Sequence, residues 1–290
     1  MHTVPAQSEA PTRTTLDVAA MAARGRAFVV REGSRSWYAK KAVPGRSSIR
    51  ALGGSLLARL TLGEWAPLAP LRLGGQDQIA YEAERLRALR AAGEAVPEVV
   101  CLESGYLVLA ESGQPLGHAL RRAGFERSAE LLTWAARDLA RFHARGLWHG
   151  GAQVRNHLLA DGGKTLMRID FEEPLDQLMP LPARQAVDLY LLVYSATALK
   201  GLPETDLHRL GSRMVCAYLE AHAPDERMLG YLHRGQRVLG ALEAGIGWLA
   251  RAVSKDARRL FTTRAVLAEV LERAGDAPGA ISDGQGRCDR

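Results

Sequence analysis

WHGGAQVRNHLLADGGKTLMRIDFEE, residues 148–173, decides how the rest of the chain is read. HLLA and LMRIDF are short apolar runs on either side of Asp161-Gly162-Gly163, a turn sequence, so a β-hairpin is expected. Asn156 stands just before the hairpin and Asp170 at its far end. Folding the hairpin back brings an amide oxygen and a carboxylate oxygen to one side of a cleft. Hard oxygen donors of this kind suit Mg²⁺, which takes one or two protein ligands and fills the rest of its shell with phosphate and water.

Outward from this stretch the chain divides in character. Residues 1–24 read as a flexible N-terminal extension, polar at first and with two prolines. AFVV, the turn Glu32-Gly33-Ser34-Arg35 and SWYAKKAV predict a hairpin. PGRSSIRALGGSLLARLTLGEW reads as an insertion with a short helix. QIAYEAERLRALRAA, residues 78–92, predicts an amphipathic helix with Ile79, Leu86 and Leu89 on one stripe and Gly93 as its stop. VPEVVCLES and GYLVLAES predict a second hairpin about Ser104-Gly105. Beyond Glu111 the pattern turns helical. SAELLTWAARDLARFHARG is one clear helix, and others are expected at about 183–198, 204–222, 234–253 and 258–274. Residues 276–290 read as a disordered tail.

The 290 residues are 47% hydrophobic and 24% charged, enough for one large domain or two lobes around a shared cleft. No apolar run is long enough to span a membrane and no signal-peptide layout is present, so a cytoplasmic protein is expected. Three widely spaced cysteines give neither a disulfide framework nor a zinc site. The net charge of +6 suits an acidic partner: a phosphate ligand, or peripheral contact with an anionic inner-membrane surface. The cations are spread out, without a basic block or interleaved aromatics, which argues against nucleic acid. Almost all are arginine; the lysines are Lys40, Lys41, Lys164, Lys200 and Lys255. A lysine pair in so arginine-biased a chain asks for a chemical reason.

These pieces, in this order, resemble the protein-kinase-like superfamily over residues 25–200. HGGAQVRN stands where those families carry His-Gly-Asp, four residues and Asn, and IDFEE where they carry Ile-Asp-Phe-Gly or Ile-Asp-Phe-Glu. YAKKA is similar to their Val-Ala-x-Lys strand. YEAERLRAL is similar to the helix whose Glu pairs with that Lys, YLVLAESG to the segment bordering the adenine, and AVDLYLL to the helix whose Asp188 braces the loop. The lipopolysaccharide-core sugar kinases and the KEOPS-complex kinase look nearest, with aminoglycoside and choline kinases beside them.

The resemblance implies an α+β, bilobal protein-kinase-like fold: a strand-rich N-lobe over 25–111 and a helical C-lobe over 112–275 carrying both loops. It implies ATP and Mg²⁺ as cofactors, Lys41, Glu82 and Glu111 on the nucleotide, and Asn156 and Asp170 on the metal. Glu84 is the alternative to Glu82, and Lys40 is expected on the opposite face of its strand. The expected acceptor is a hydroxyl of a glycolipid sugar or of a protein.

The departures bear on activity. Gly151 stands where the family carries its catalytic Asp, and Gly has no group to accept a proton. Gln153, nearby, is neutral and can only hold a ligand by hydrogen bonds. Glu172 or Glu173 are alternative carboxylates. The segment before the first hairpin offers only Gly25 in place of a glycine-rich phosphate loop. A phosphotransferase with an atypical loop and a catalytically inactive pseudokinase acting as regulator or scaffold both remain open at this point.

Overall fold

In a computed structural model, residues 10–43 and 74–275 of the chain are described. The expected insertion helix after residue 43 and the 276–290 tail lie outside them. The described chain forms two compact units. One holds residues 10–43, 74–114 and 158–174; the other holds 115–157 and 175–275. The first is rich in strands and the second helical, so the α+β division expected from sequence holds. The hairpin and the Asp170 loop belong with the strands of the first unit, not with the helices that flank them in sequence.

The first unit is built on a four-stranded antiparallel sheet of order β1-β2-β4-β3: β1 Ala27–Glu32, β2 Arg35–Lys41, β3 Val99–Glu103 and β4 Tyr106–Ala110. Gly33 and Gly105 turn the two hairpins with positive φ, which glycine adopts without a Cβ clash. Alternation along β2 sends Trp37, Ala39 and Lys41 to one face and Tyr38 and Lys40 to the other.

The first face is covered by α1, Arg13–Ala22. Over Arg13–Ala22 this corrects the expectation of a flexible extension; residues 1–9 of that expected extension lie outside the described residues. Leu16 and Ala20, one helical turn apart, are buried against Phe28, Val30, Trp37 and Ala39. Fully burying an aliphatic side chain such as Leu16 stabilises by about 1.5–3 kcal/mol. Thr12 caps the helix by accepting from Thr15 N at 3.3 Å, and both threonines donate to Glu32 Oε1 at the end of β1, at 2.8 and 2.6 Å. Tyr106 Oη donates to Asp17 at 2.9 Å, and Arg13 to the Ser104 carbonyl at 2.7 Å. These contacts fasten the first half of α1, and Lys41 Nζ, donating to Ala20 O, holds the second.

Helix α2, Gly75–Ala91, packs on β3 and β4 and buries Ile79, Leu86 and Leu89, the predicted stripe, together with Glu82. The predicted third hairpin is β6, His157–Ala160, and β7, Thr165–Arg168, closed by Asp161-Gly162-Gly163 and flanked by the two-residue β5, Gln114–Pro115. Arg168 fixes β7 beneath α2: its backbone N–H donates to Ala95 O at 3.0 Å, and its guanidinium meets Glu94 at 3.0 Å in a nearly buried pair.

The second unit holds α3 Leu116–Leu120, α4 Phe125–Ala144, α5 Leu181–Ala196, α6 Glu204–Ala221, α7 Glu226–Val253 and α8 Lys255–Gly275. Helix α4 packs along α6, α6 along α8, and α5 against α7. Leu132, Leu139, Phe142, Leu189, Leu192 and Tyr218 are fully buried among them. No helix among the described residues is long and apolar enough to cross a membrane.

Candidate functional site

In the first unit, β2 and α2 present one lysine and one glutamate to each other. The lysine is Lys40. Its Nζ donates to Glu82 Oε1 and Oε2 at 2.6 and 2.8 Å and to Asp170 Oδ1 at 2.6 Å. The expectation that Lys41 meets Glu82 is thus corrected. Lys41 lies on the other face, where its Nζ donates to Ala20 O at 2.5 Å beneath α1 and sits 5.6 Å from the centre of the Phe28 ring. The physical reason is the strand's period of two: α2 covers the Lys40 face and α1 the Lys41 face, so only one of the neighbours can reach Glu82.

Glu82 rather than Glu84 is the partner. It is wholly buried, as a carboxylate can be when an ammonium satisfies both of its oxygens. Burial pushes the Lys40 ammonium down, but Glu82 and Asp170 outweigh it and hold the group above its ordinary value. Lys40 therefore stays charged at neutral pH.

Asp170 follows β7 with a φ of 74°, a left-handed conformation rare for a residue with a Cβ. Two contacts hold the turn. Phe171 N donates to Glu82 Oε1 at 3.2 Å, and the buried Phe171 ring lies 5.1 Å from the Arg85 guanidinium. Strained backbone of this kind persists where its surroundings over-determine it. The turn brings Glu172 in as well: one carboxylate oxygen each from Glu82, Asp170 and Glu172 lies within 4.8 Å of the others. Arg26, from the segment before β1, meets Glu172 at 2.5 Å and donates from Nε to Lys41 O at 3.0 Å.

This donor set suits a hard divalent cation. Lys40 engages both Glu82 oxygens but one oxygen of Asp170, and Arg26 one oxygen of Glu172, so within this group Asp170 and Glu172 are the carboxylates that could hold Mg²⁺. Asn156, the other expected ligand, belongs to the second unit.

Glu111 is not part of this group. Past the end of β4 its carboxylate accepts from Ser36 Oγ, and it lines a separate cavity of about 690 Å³ with Arg90, Glu98, Gly113 and Asp161. None of Lys40, Glu82 or Asp170 lines that cavity.

The second unit contains the loop with Gly151. Asp188 of α5 braces it, accepting from His149 N at 2.5 Å and Gly150 N at 2.8 Å. His143 of α4 stands 3.4 Å from the same carboxylate and 2.6 Å from Tyr218 Oη. Burial raises the Asp188 carboxyl, but the His143 hydrogen bond and charge, with the His149 contacts, outweigh it and hold it below the usual carboxylate range. Ser195 Oγ accepts from Val154 N at 2.8 Å, and Gln185 Nε2 donates to His143 O and Leu147 O at 3.0 Å each. Asn156 Nδ2 donates to Gly151 O at 2.8 Å, which leaves Oδ1 as the oxygen that side chain offers. Gln153 shapes the loop through its backbone, donating to Gly151 O at 2.6 Å and accepting from Asn156 N at 2.8 Å. Gly151 does not have positive φ; a Cβ there would have Asn156 Nδ2 at 3.5 Å and His149 Nδ1 at 3.9 Å, ordinary contacts.

Sequence reading alone missed Lys40, and it missed Arg26 and the bracing groups Ser195 and Gln185. Strand alternation separates Lys40 from Lys41, but nothing local says which of the two faces the helix bearing Glu82 covers; the packing of Leu16 and Ala20 on the Trp37 and Ala39 face decides it.

No family model matches the chain, and no curated protein matches it. Among solved structures, the chain is similar to the Rio2 kinase of Chaetomium thermophilum, solved as an ADP/Mg²⁺-phosphoaspartate complex. The two are 17% identical with a TM-score of 0.41, over 89% of this chain and 75% of that one. It is also similar to a MAP kinase of Leishmania major. There the identity is 12% and the TM-score 0.30, over 90% and 86% of the two chains.

Proposed function

We propose that the protein is a protein-kinase-like, ATP-binding phosphotransferase with an atypical loop, and that Lys40 is its phosphate-holding cation. One observation carries this reading: a single lysine ammonium held at 2.6 Å by both a buried helix glutamate and the aspartate after a hairpin. Phosphoryl transfer asks of a protein a cation on the phosphates, oxygens for a metal and a group that orients the acceptor. Lys40 supplies the first, pre-positioned by Glu82. Asp170 and Glu172 supply the second. Mg²⁺ bound there would neutralise charge on the transferred group. Gln153 is the side chain proposed to orient the acceptor hydroxyl, on a sugar, a glycolipid or a protein. The net charge of +6 favours acceptors at an anionic surface.

The observation favouring a second reading, a pseudokinase that binds nucleotide without turnover, is Gly151. Losing a positioned base costs about 10²–10⁴ in rate. Titration of ATP into the full chain by calorimetry, with and without Mg²⁺ and with Asp170→Asn as control, tests both. Mg²⁺-dependent binding that the mutation weakens is expected. Binding without phosphate transfer to any hydroxyl acceptor would favour the second reading; no binding would sink both.

A further inference from the structure

We infer that Arg26 is a second phosphate-binding residue of this site, one that exchanges Glu172 for a phosphate oxygen when nucleotide arrives. The inference rests on the nucleotide reading above. Helix α1 ends at Ala22 and β1 begins at Ala27, so only residues 23–26 join them, with Gly25 the single glycine. A connection of four residues leaves little backbone to wrap phosphates with N–H groups, so side chains must supply the donors.

Arg26 is built for that task. Its Nε is fixed on the Lys41 carbonyl at 3.0 Å, which sets the plane of the guanidinium. Its Nη1 faces Glu172 at 2.5 Å, and only 23% of the side chain is exposed. Its Nη2 is buried and has no hydrogen-bond partner among the described residues. A buried donor without an acceptor is costly, and a bound acceptor recovers that cost. The acceptor must be anionic and offer more than one oxygen, because the free Nη2 and the Glu172-bound Nη1 form one planar fork.

Charge balance gives the reason for the exchange. Three carboxylates, Glu82, Asp170 and Glu172, converge on two cations, Lys40 and Arg26. A divalent cation on Asp170 and Glu172 takes over the neutralisation of Glu172, and the Arg26 fork is then turned to a phosphate. Before nucleotide arrives, the same ion pair keeps Glu172 from being an uncompensated, largely buried charge.

The test is calorimetric titration of the full chain with Mg·ATP and with adenosine, comparing wild type, Arg26→Ala and Arg26→Lys. Arg26→Ala should weaken Mg·ATP by about tenfold or more and leave adenosine within about twofold, the loss of charge-assisted bonds to phosphate alone. Arg26→Lys should recover only part, since an ammonium lacks the fork. Should Arg26→Ala fail to fold, Arg26→Gln is read by the same criterion. Equal loss for ATP and adenosine would assign Arg26 a purely structural role and overturn the inference. So would unchanged Mg·ATP binding in a background where Asp170→Asn abolishes it, and the nucleotide reading would then stand. Absence of binding by the wild type would remove both.

Discussion

Lys40 and Glu82 form a two-point bond, 2.6 and 2.8 Å from ammonium to the two carboxylate oxygens, with the glutamate wholly buried and the lysine nearly so. The pair joins the second strand to the helix on one face of the sheet, while the adjacent Lys41 serves the opposite face.

Substituting the two lysines should therefore have unequal effects. Lys40→Met leaves Glu82 a buried charge without its partner, a change that costs about 3–5 kcal/mol. Lys41→Met removes one hydrogen bond to Ala20 O and should cost about 1 kcal/mol. Urea unfolding at neutral pH measures both. The Lys40 pKa is raised, so its stabilisation is complete below the ordinary lysine value near 10.5 and is lost only as pH rises through the higher folded value. Equal midpoints for the two variants would contradict the assignment.

Gly151→Asp should fold. The backbone there is not left-handed, and the new Cβ meets nothing closer than 3.5 Å. The melting temperature should stay within a few degrees of the wild type. If a missing carboxylate is what limits the loop, phosphate transfer should rise by about 10² or more. A folded variant with unchanged turnover would show that the base is not the only missing part.

Asp188 should set the acid limit of the second unit. Its carboxyl is held below the usual range, so its stabilisation is fully present above about pH 4 and is lost as pH falls through the lower folded value. Asp188→Asn should be less stable than wild type at pH 7, because His149 N and Gly150 N lose a charged acceptor. It should also lose stability less steeply as pH falls below about 4. Denaturant midpoints across that range give the slope, and parallel curves would refute the assignment.

Leu16→Ala should destabilise by about 2–5 kcal/mol, the range for a fully buried leucine. Val18→Ala, on the exposed side of α1, should stay within about 0.5 kcal/mol. Similar values for the two would mean that α1 does not close the core.

Much of this architecture is written locally. Glu32-Gly33-Ser34-Arg35 and Ser104-Gly105 turn their hairpins because glycine takes positive φ there, and Asp161-Gly162-Gly163 closes the third by the same means. The Ile79, Leu86 and Leu89 stripe located α2 because helical periodicity acts over a few residues, whereas Asp170 is singled out by the resemblance of IDFEE to a family motif. Alternation also separates Lys40 from Lys41, but it does not say which face α2 takes. That choice belongs to the tertiary structure, since it depends on which apolar face α1 claims, and α1 looked like a tail until Leu16 and Ala20 met Phe28 and Trp37. The pairing of Arg26 with Glu172 is of the same kind. The two lie 146 positions apart, and no local pattern links residues that only the folding of the sheet and the Asp170 turn brings within 2.5 Å.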